Sequence, residues 1–97
     1  MTEEDIVKLG GNIELIGFKD IEPGSIVILK KMVGNYVKKI SESVQNFEKF
    51  SLTLKNKEKN ELNAQLSYSG NTIEAESSGK NLFVALDQVM KQLEGKI

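Results

Sequence analysis

The apolar and polar residues of this chain alternate in several short segments, which is typical of β-strands with one face buried. The alternation is strict over residues 50–55, 62–68 and 72–76. Residues 13–18 are mainly apolar and rich in isoleucine, and they predict a further strand before these three. The dipeptide Gly70-Asn71 separates two alternating segments and therefore indicates a hairpin.

Two longer segments have the spacing of amphipathic helices. Over residues 26–47 apolar side chains recur every three or four positions, which predicts a helix with Ser25 as its N-cap. Gly34 lies inside this segment, where a glycine costs about 1 kcal/mol relative to alanine. A second helix is predicted over residues 82–93, with Asn81 as its N-cap. The predicted order is therefore strand, helix, three strands, helix.

Each predicted element has one apolar face, and two helices that cover one face of a four-stranded sheet would bury all of these faces. We therefore predict an α+β fold, a two-layer sandwich with the order βαβββα, formed by a single domain over residues 13–97. Residues 1–12 are short, charged and rich in glycine at their end, and we expect a flexible lead-in. We expect one core to contain Leu29, Val33, Ile40, Leu54, Leu66, Ala75, Leu86, Val89 and Leu93.

The composition of the 97 residues argues against most enzymes. The chain has no cysteine, which excludes disulfides and thiol chemistry, and no histidine, the commonest general base near neutral pH. Glu74 and Glu76 point the same way from a predicted strand, but without further oxygen ligands they are better explained as part of a solvated face than as a metal or acid–base pair. We expect a protein without enzymatic activity, cofactor or metal.

The location and the class of ligand are also constrained by the sequence. No apolar segment approaches the length of a membrane span, and residues 1–5 are acidic where a signal peptide would be basic. We therefore expect a cytoplasmic protein with no membrane partner. No motif for a nucleotide or another small-molecule substrate is evident.

The charge is distributed unevenly along the chain, although the net charge is only −1. Residues 26–60 contain eight lysines and three glutamates, a net charge of +5, whereas residues 1–25 have a net charge of −4. Ammonium groups on one side of a helix suit sequence-independent contact with phosphates, although lysines also solubilise exposed helices. Four lysines cover the polar side of the first predicted helix: Lys30, Lys31, Lys38 and Lys39.

The predicted polar face of the sheet has no aromatic residue, so RNA bases have no stacking platform there. RNA, if it is a ligand, is therefore expected to bind to the helices.

Residues 63–87 and the sequence Lys91-Gln92-Leu93-Glu94 resemble the bacterial family of ribosome hibernation-promoting factor and protein Y, also called the sigma-54 modulation family. The predicted order of elements is similar from Ile13 onward, and residues 52–55 resemble the second strand of that family. The resemblance implies a short-form βαβββα domain without the extra dimerisation domain. Such a domain occupies the decoding channel of the small subunit in idle ribosomes and contacts rRNA through basic residues on two parallel helices.

The resemblance places Lys39 at the position where the family has a lysine in its first helix. Gln92 and Gly95, in the second helix, stand where the family usually has basic residues. Our first hypothesis is a non-enzymatic hibernation-type factor that binds rRNA and occludes the decoding channel. Its RNA-binding residues would be Lys30, Lys31, Lys38 and Lys39, supported by Lys80 and Lys91. The alternative is a protein-interaction or self-association module that uses a sheet edge or the acidic first segment and binds no RNA.

Overall fold

The alternating segments form the strands of one sheet, and the two amphipathic segments form helices that pack on it. The computed structural model describes residues 6–10 and 12–97. The strands are β1 (Ile6–Gly10), β2 (Ile13–Ile16), β3 (Phe47–Asn56), β4 (Glu61–Tyr68) and β5 (Asn71–Ser77), and the helices are α1 (Pro23–Ser43) and α2 (Leu82–Lys96). None of the described helices is long and apolar enough to cross a membrane.

The five strands are arranged in the order β1-β2-β3-β4-β5. β2 and β3 are parallel, and every other neighbouring pair is antiparallel. Parallel neighbours need a crossover connection, which α1 supplies. The β4–β5 hairpin has Ser69 and Gly70 as its loop residues, both with positive φ, which is the backbone of a type I′ turn. The predicted hairpin is confirmed, with its loop one residue earlier than Gly70-Asn71.

The hydrophobic core lies between the helices and one face of the sheet. Leu52, Ala64 and Ala75 are neighbours across β3, β4 and β5, and all three are buried. The nine residues expected in the core are all buried in one cluster that includes the apolar stripes of both helices. The predicted α+β fold with both helices on one face is therefore confirmed.

The predicted number of strands is wrong, because residues 6–10 form a fifth strand at the edge of the sheet. β1 pairs antiparallel with β2, and Val7 and Leu9 pack against the core. The expectation of a flexible lead-in over residues 1–12 is wrong for this segment, while residues 1–5 and 11 lie outside the described residues. The order of the described elements is ββαβββα. Alternation over five residues is too short to distinguish an edge strand from a polar loop.

α1 begins and ends earlier than the sequence pattern predicts. Pro23 is the first helical residue and Glu22 is the N-cap, without a side-chain capping bond, so Ser25 lies inside the first turn. Proline is favoured at this position because the first helical N–H groups have no intrahelical partner. The helix ends at Ser43, since Val44 adopts an extended conformation.

α2 is held at both of its ends by polar side chains. The Asn81 side-chain oxygen accepts hydrogen bonds from the N–H groups of Phe83 and Val84, both at 2.9 Å, so the predicted N-cap is confirmed. In the last turn, Lys96 Nζ donates a hydrogen bond of 2.8 Å to the carbonyl oxygen of Glu74. This bond connects the end of α2 to β5, one of the two edge strands of the sheet.

Candidate nucleic-acid interface

α1 and α2 lie side by side and run in the same direction. The Tyr36 hydroxyl donates a hydrogen bond to the Asp87 carboxylate, and Lys39 Nζ lies 3.6 Å from Glu94 Oε2. The residue numbers rise together along both helices, so the helices are parallel. We call the line along which they meet the helix seam, and these four residues mark its course.

Two lysines of α1 project freely from its solvent side. Lys31 and Lys38 are exposed, and neither has an ion-pair partner among the described residues. They are seven residues apart, which is nearly two helical turns, so they point in nearly the same direction about 10 Å apart along the axis. Lys30 is also exposed and unpaired within the described part of the chain, and the helical rotation turns it to the flank away from α2.

The other predicted lysines have different environments. Lys39 faces the helix seam, where it pairs with Glu94, and Lys91 pairs with Asp87 at 3.2 Å on α2. Both partners of the Lys91–Asp87 pair are exposed, and exposed ion pairs of this kind contribute only about 0–1 kcal/mol. In the Lys39–Glu94 pair the lysine side chain is 71% exposed and that of Glu94 28% exposed, and Glu94 Oε2 is a buried atom without a hydrogen-bond partner among the described residues. Lys80 is exposed just before the N-cap of α2. The predicted set is therefore divided between the outer side of α1, the helix seam and the start of α2.

The helix seam contains an open groove of about 300 Å³, lined by Met32, Asn35, Tyr36 and Lys39. The hydrogen bond to Asp87, together with burial and the negative charge of that carboxylate, raises the pKa of Tyr36 to about 12. The same bond, with that from Lys91, lowers the pKa of Asp87. At neutral pH the groove therefore has a protonated phenol held by an ionised carboxylate.

The groove residues are absent from the predicted site, except for Lys39. Met32, Asn35, Tyr36 and Lys39 are spaced by three and four positions, so the helical period places them on one side of α1. The prediction separates them because it assigns Tyr36 to the apolar stripe and Asn35 to the polar side. All four lining residues belong to α1, and the groove runs along the side of that helix that borders the seam. A tyrosine at the edge of an apolar stripe, where its hydroxyl needs a partner, is the one sequence signal that points to this seam.

Three apolar side chains are exposed on the helical layer. Val27 and Ile28 are 66% and 53% exposed and lie one turn before Lys31 on α1. Val84, in the first turn of α2, is 40% exposed. The lysines of α1 therefore adjoin apolar surface, so this side of the protein offers both charge and apolar contact to a ligand.

The opposite face of the sheet is polar over β3, β4 and β5, where side chains bind one another, whereas Ile6 and Ile16 form an apolar pair on this face of β1 and β2. Lys55 lies 3.0 Å from Glu76, Asn63 donates to the same carboxylate at 3.1 Å, and Gln65 donates to Glu74 at 3.0 Å. The hydrogen bonds from Lys55 and Asn63 lower the pKa of Glu76. Among the described residues no group of three or more metal-ligating side chains occurs, and none of the described residues on this face is aromatic.

Comparison with known proteins finds no matching family model, no matching curated protein and no matching solved structure.

Proposed function

We propose that this protein is a non-enzymatic RNA-binding protein of the ribosome hibernation type, which regulates translation by occupying the small-subunit decoding channel in the cytoplasm. The observation that carries the proposal is the pair Lys31 and Lys38 on the solvent side of α1. Both are exposed, both point in nearly the same direction, and neither is paired with a carboxylate among the described residues. The sequence resemblance to the hibernation-factor family supports the same function.

Lys31 and Lys38 suit contact with the phosphates of a folded RNA. A lysine is a point charge on a flexible stem, and it contacts phosphate without reading the base. The separation of about 10 Å along the helix axis allows each ammonium group to bind a different phosphate. Lys30 adds a third charge on the neighbouring flank of α1.

Lys39, Lys91 and Lys80 support this contact at lower strength. Lys39 and Lys91 reach RNA only if they leave Glu94 and Asp87. Opening the exposed Lys91–Asp87 pair costs about 0–1 kcal/mol. Opening the Lys39–Glu94 pair costs more, because the buried Oε2 atom of Glu94 loses its charge partner. Lys80 extends the positive surface toward the start of α2. We therefore assign the main phosphate contacts to Lys31 and Lys38.

Occlusion is the mechanism that follows from such a surface. A small rigid domain fixed to rRNA by its helical layer excludes mRNA and tRNA from the space that it fills, and no chemical step is required. The polar face of the sheet has no base-stacking platform and its carboxylates repel phosphate, so we assign no RNA contact to it.

The test is sedimentation of the purified protein with ribosomal small subunits and intact ribosomes on sucrose gradients. The variant with Lys31→Glu and Lys38→Glu is expected to lose co-sedimentation and to keep the wild-type fold, because both side chains are exposed. Two controls are expected to co-sediment like the wild type: Glu74→Gln with Glu76→Gln on the sheet, and Lys57→Glu with Lys59→Glu, which makes the same change in net charge.

Wild-type co-sedimentation of the Lys31 and Lys38 variant would refute the proposal. Self-association that is insensitive to salt would then favour the interaction module that uses a sheet edge.

A further inference from the structure

We propose that the groove in the helix seam binds one unstacked base of a single-stranded RNA segment, with the lysines of α1 contacting the phosphates on either side of it. This inference rests on the proposed RNA binding and adds a base-binding site to it. It assigns a ligand to Met32, Asn35 and Tyr36, which the phosphate-binding mechanism does not use.

The size and walls of the groove suit a flat heterocycle. Its volume of about 300 Å³ lies at the lower end of the roughly 300–1,000 Å³ found for ligand pockets, so it accommodates a small group and no large substrate. The Met32 thioether and the Tyr36 ring are half-buried and provide polarisable surface, on which bases stack. The exposed Asn35 amide provides a donor and an acceptor for the edge of a base.

Tyr36 is fixed before any ligand arrives. Its hydroxyl donates to Asp87, and Lys91 holds the other oxygen of that carboxylate at 3.2 Å. The ring therefore loses little conformational freedom when a base packs on it, which favours binding. Exposed aromatic rings without such an anchor lose more entropy on binding.

The positive charges are placed on both sides of the groove along α1. Asn35 lies four residues after Lys31, three before Lys38 and four before Lys39, so each lysine is one helical turn from the amide. Lys39 also lines the groove itself. A nucleotide with its base beside Asn35 would have its flanking phosphates within the reach of these ammonium groups. This charge arrangement favours a nucleic acid over an apolar peptide helix as the occupant.

The test compares two RNA probes in fluorescence anisotropy titrations: an oligouridylate, and an oligomer of the same length and charge whose central nucleotides are abasic. The wild-type protein is expected to bind the base-containing probe about tenfold more tightly, within the range for stacking of a single base. The variants Asn35→Ala and Met32→Ala are expected to lose this preference and to bind the abasic probe like the wild type. The control Gln88→Ala removes an exposed amide from α2 and is expected to keep the preference.

The failure of this inference can be distinguished from the failure of the proposed function. Equal binding of the two probes by the wild type, with ribosome co-sedimentation intact, overturns the base site alone. A preference for bases that survives Asn35→Ala and Met32→Ala places the base elsewhere and also overturns it. Absence of binding to both probes and to ribosomes overturns both proposals, and a protein helix would then be the occupant to test. Crosslinking of a thiouridine-containing probe to residues 32–39 is the expected supporting result.

Discussion

The Tyr36 hydroxyl donates a hydrogen bond to the Asp87 carboxylate, which connects two helices through residues that are 51 positions apart in the sequence. Both helices also pack on the sheet through their apolar stripes. The hydrogen bond adds a polar contact between the two packed helices, and it orients the ring that forms a wall of the groove. A single contact therefore couples the packing of the helical layer to the shape of its candidate site.

Replacing Asp87 by Asn is expected to lower the pKa of Tyr36 from about 12 toward its ordinary value of 10.0, because the carboxylate is the main cause of the shift. The absorbance of the phenolate, followed as a function of pH, measures this change. Tyr36→Phe identifies the Tyr36 transition by removing it. An unchanged high-pH transition in Asp87→Asn would show that the carboxylate does not hold the phenol.

The same shift predicts how stability depends on alkaline pH. The pKa of Tyr36 is higher in the folded protein than in the unfolded chain, so the contribution of the bond is complete below about pH 10 and is lost as the pH rises through about 12. Asp87→Asn is expected to reduce this loss between the two values. Urea denaturation at a series of pH values between about 9 and 12 measures whether the free energy of unfolding falls with rising pH, and whether it falls less in Asp87→Asn.

Phosphate contact predicts a steep dependence of RNA binding on salt. Each lysine that neutralises a phosphate adds about 0.7–0.9 to the slope of log affinity against log salt. Lys31→Gln and Lys38→Gln are each expected to flatten the slope by about that amount, whereas Lys59→Gln is expected to leave it unchanged. Slopes that are equal in all three variants would contradict the assigned contacts.

Two glycines are expected to respond to alanine in opposite ways. Gly17 has a φ of +85°, and a Cβ atom there would lie 2.9 Å from the carbonyl oxygen of Leu54, so Gly17→Ala should destabilise the protein by about 1–3 kcal/mol. Gly34 lies in α1, and beyond its chain neighbours and the backbone of its own helix no atom lies within 4 Å of the added Cβ, so Gly34→Ala should stabilise the protein by about 0.5–1 kcal/mol. Chemical denaturation measures both changes in the free energy of unfolding. A change in the same direction in both variants would contradict the backbone conformations described at Gly17 and Gly34.

The core is expected to be sensitive at Leu86, which is fully buried on the sheet-facing side of α2. Leu86→Ala should lower the free energy of unfolding by about 2–5 kcal/mol, a large part of the about 5–15 kcal/mol typical of a domain. The control Val84→Ala, at an exposed position of the same helix, should change it by less than about 0.5 kcal/mol. Thermal or urea unfolding of the two variants measures the difference. A loss of less than about 1 kcal/mol in Leu86→Ala would contradict the placement of Leu86 in the core.

The sequence predicts the fold wherever a period extends over several residues. The stripe of Leu29, Val33 and Ile40 and the alternation around Leu52 and Leu54 are both confirmed, because burial of one face imposes a regular spacing. The sequence does not predict a short edge strand or the exact first residue of a helix, because these depend on local backbone geometry and not on a repeated pattern. The strand at residues 6–10 offers too few alternating positions to be recognised, and Pro23 begins α1 two residues before Ser25.

The candidate site is less predictable than the fold. The exposed side of α1 follows from the helical rotation, so the exposure of Lys31 and Lys38 is confirmed. The pairing of Lys39 with Glu94 depends on which sides of the two helices meet, and that is decided by tertiary packing. The spacing of residues within one helix carries no information about such a contact. In contrast, Lys91 lies four residues after Asp87 in the same helix, and this spacing predicts their salt bridge from the sequence alone.

The parallel pairing of β2 with β3 also affects the order in which the chain folds. β3, β4, β5 and α2 are consecutive and have short connections, whereas β2 reaches β3 only after the 21 residues of α1 have crossed the sheet. Closing a long loop costs entropy before its contacts form, so we expect the C-terminal half to nucleate and the β1–β2 hairpin to dock last. During synthesis, α1 therefore leaves the ribosome before the strands β3, β4 and β5, on which it packs, have been made. In a nascent chain, the helix that contains Lys31 and Lys38 is therefore expected to remain unpacked until β3, β4 and β5 have been made.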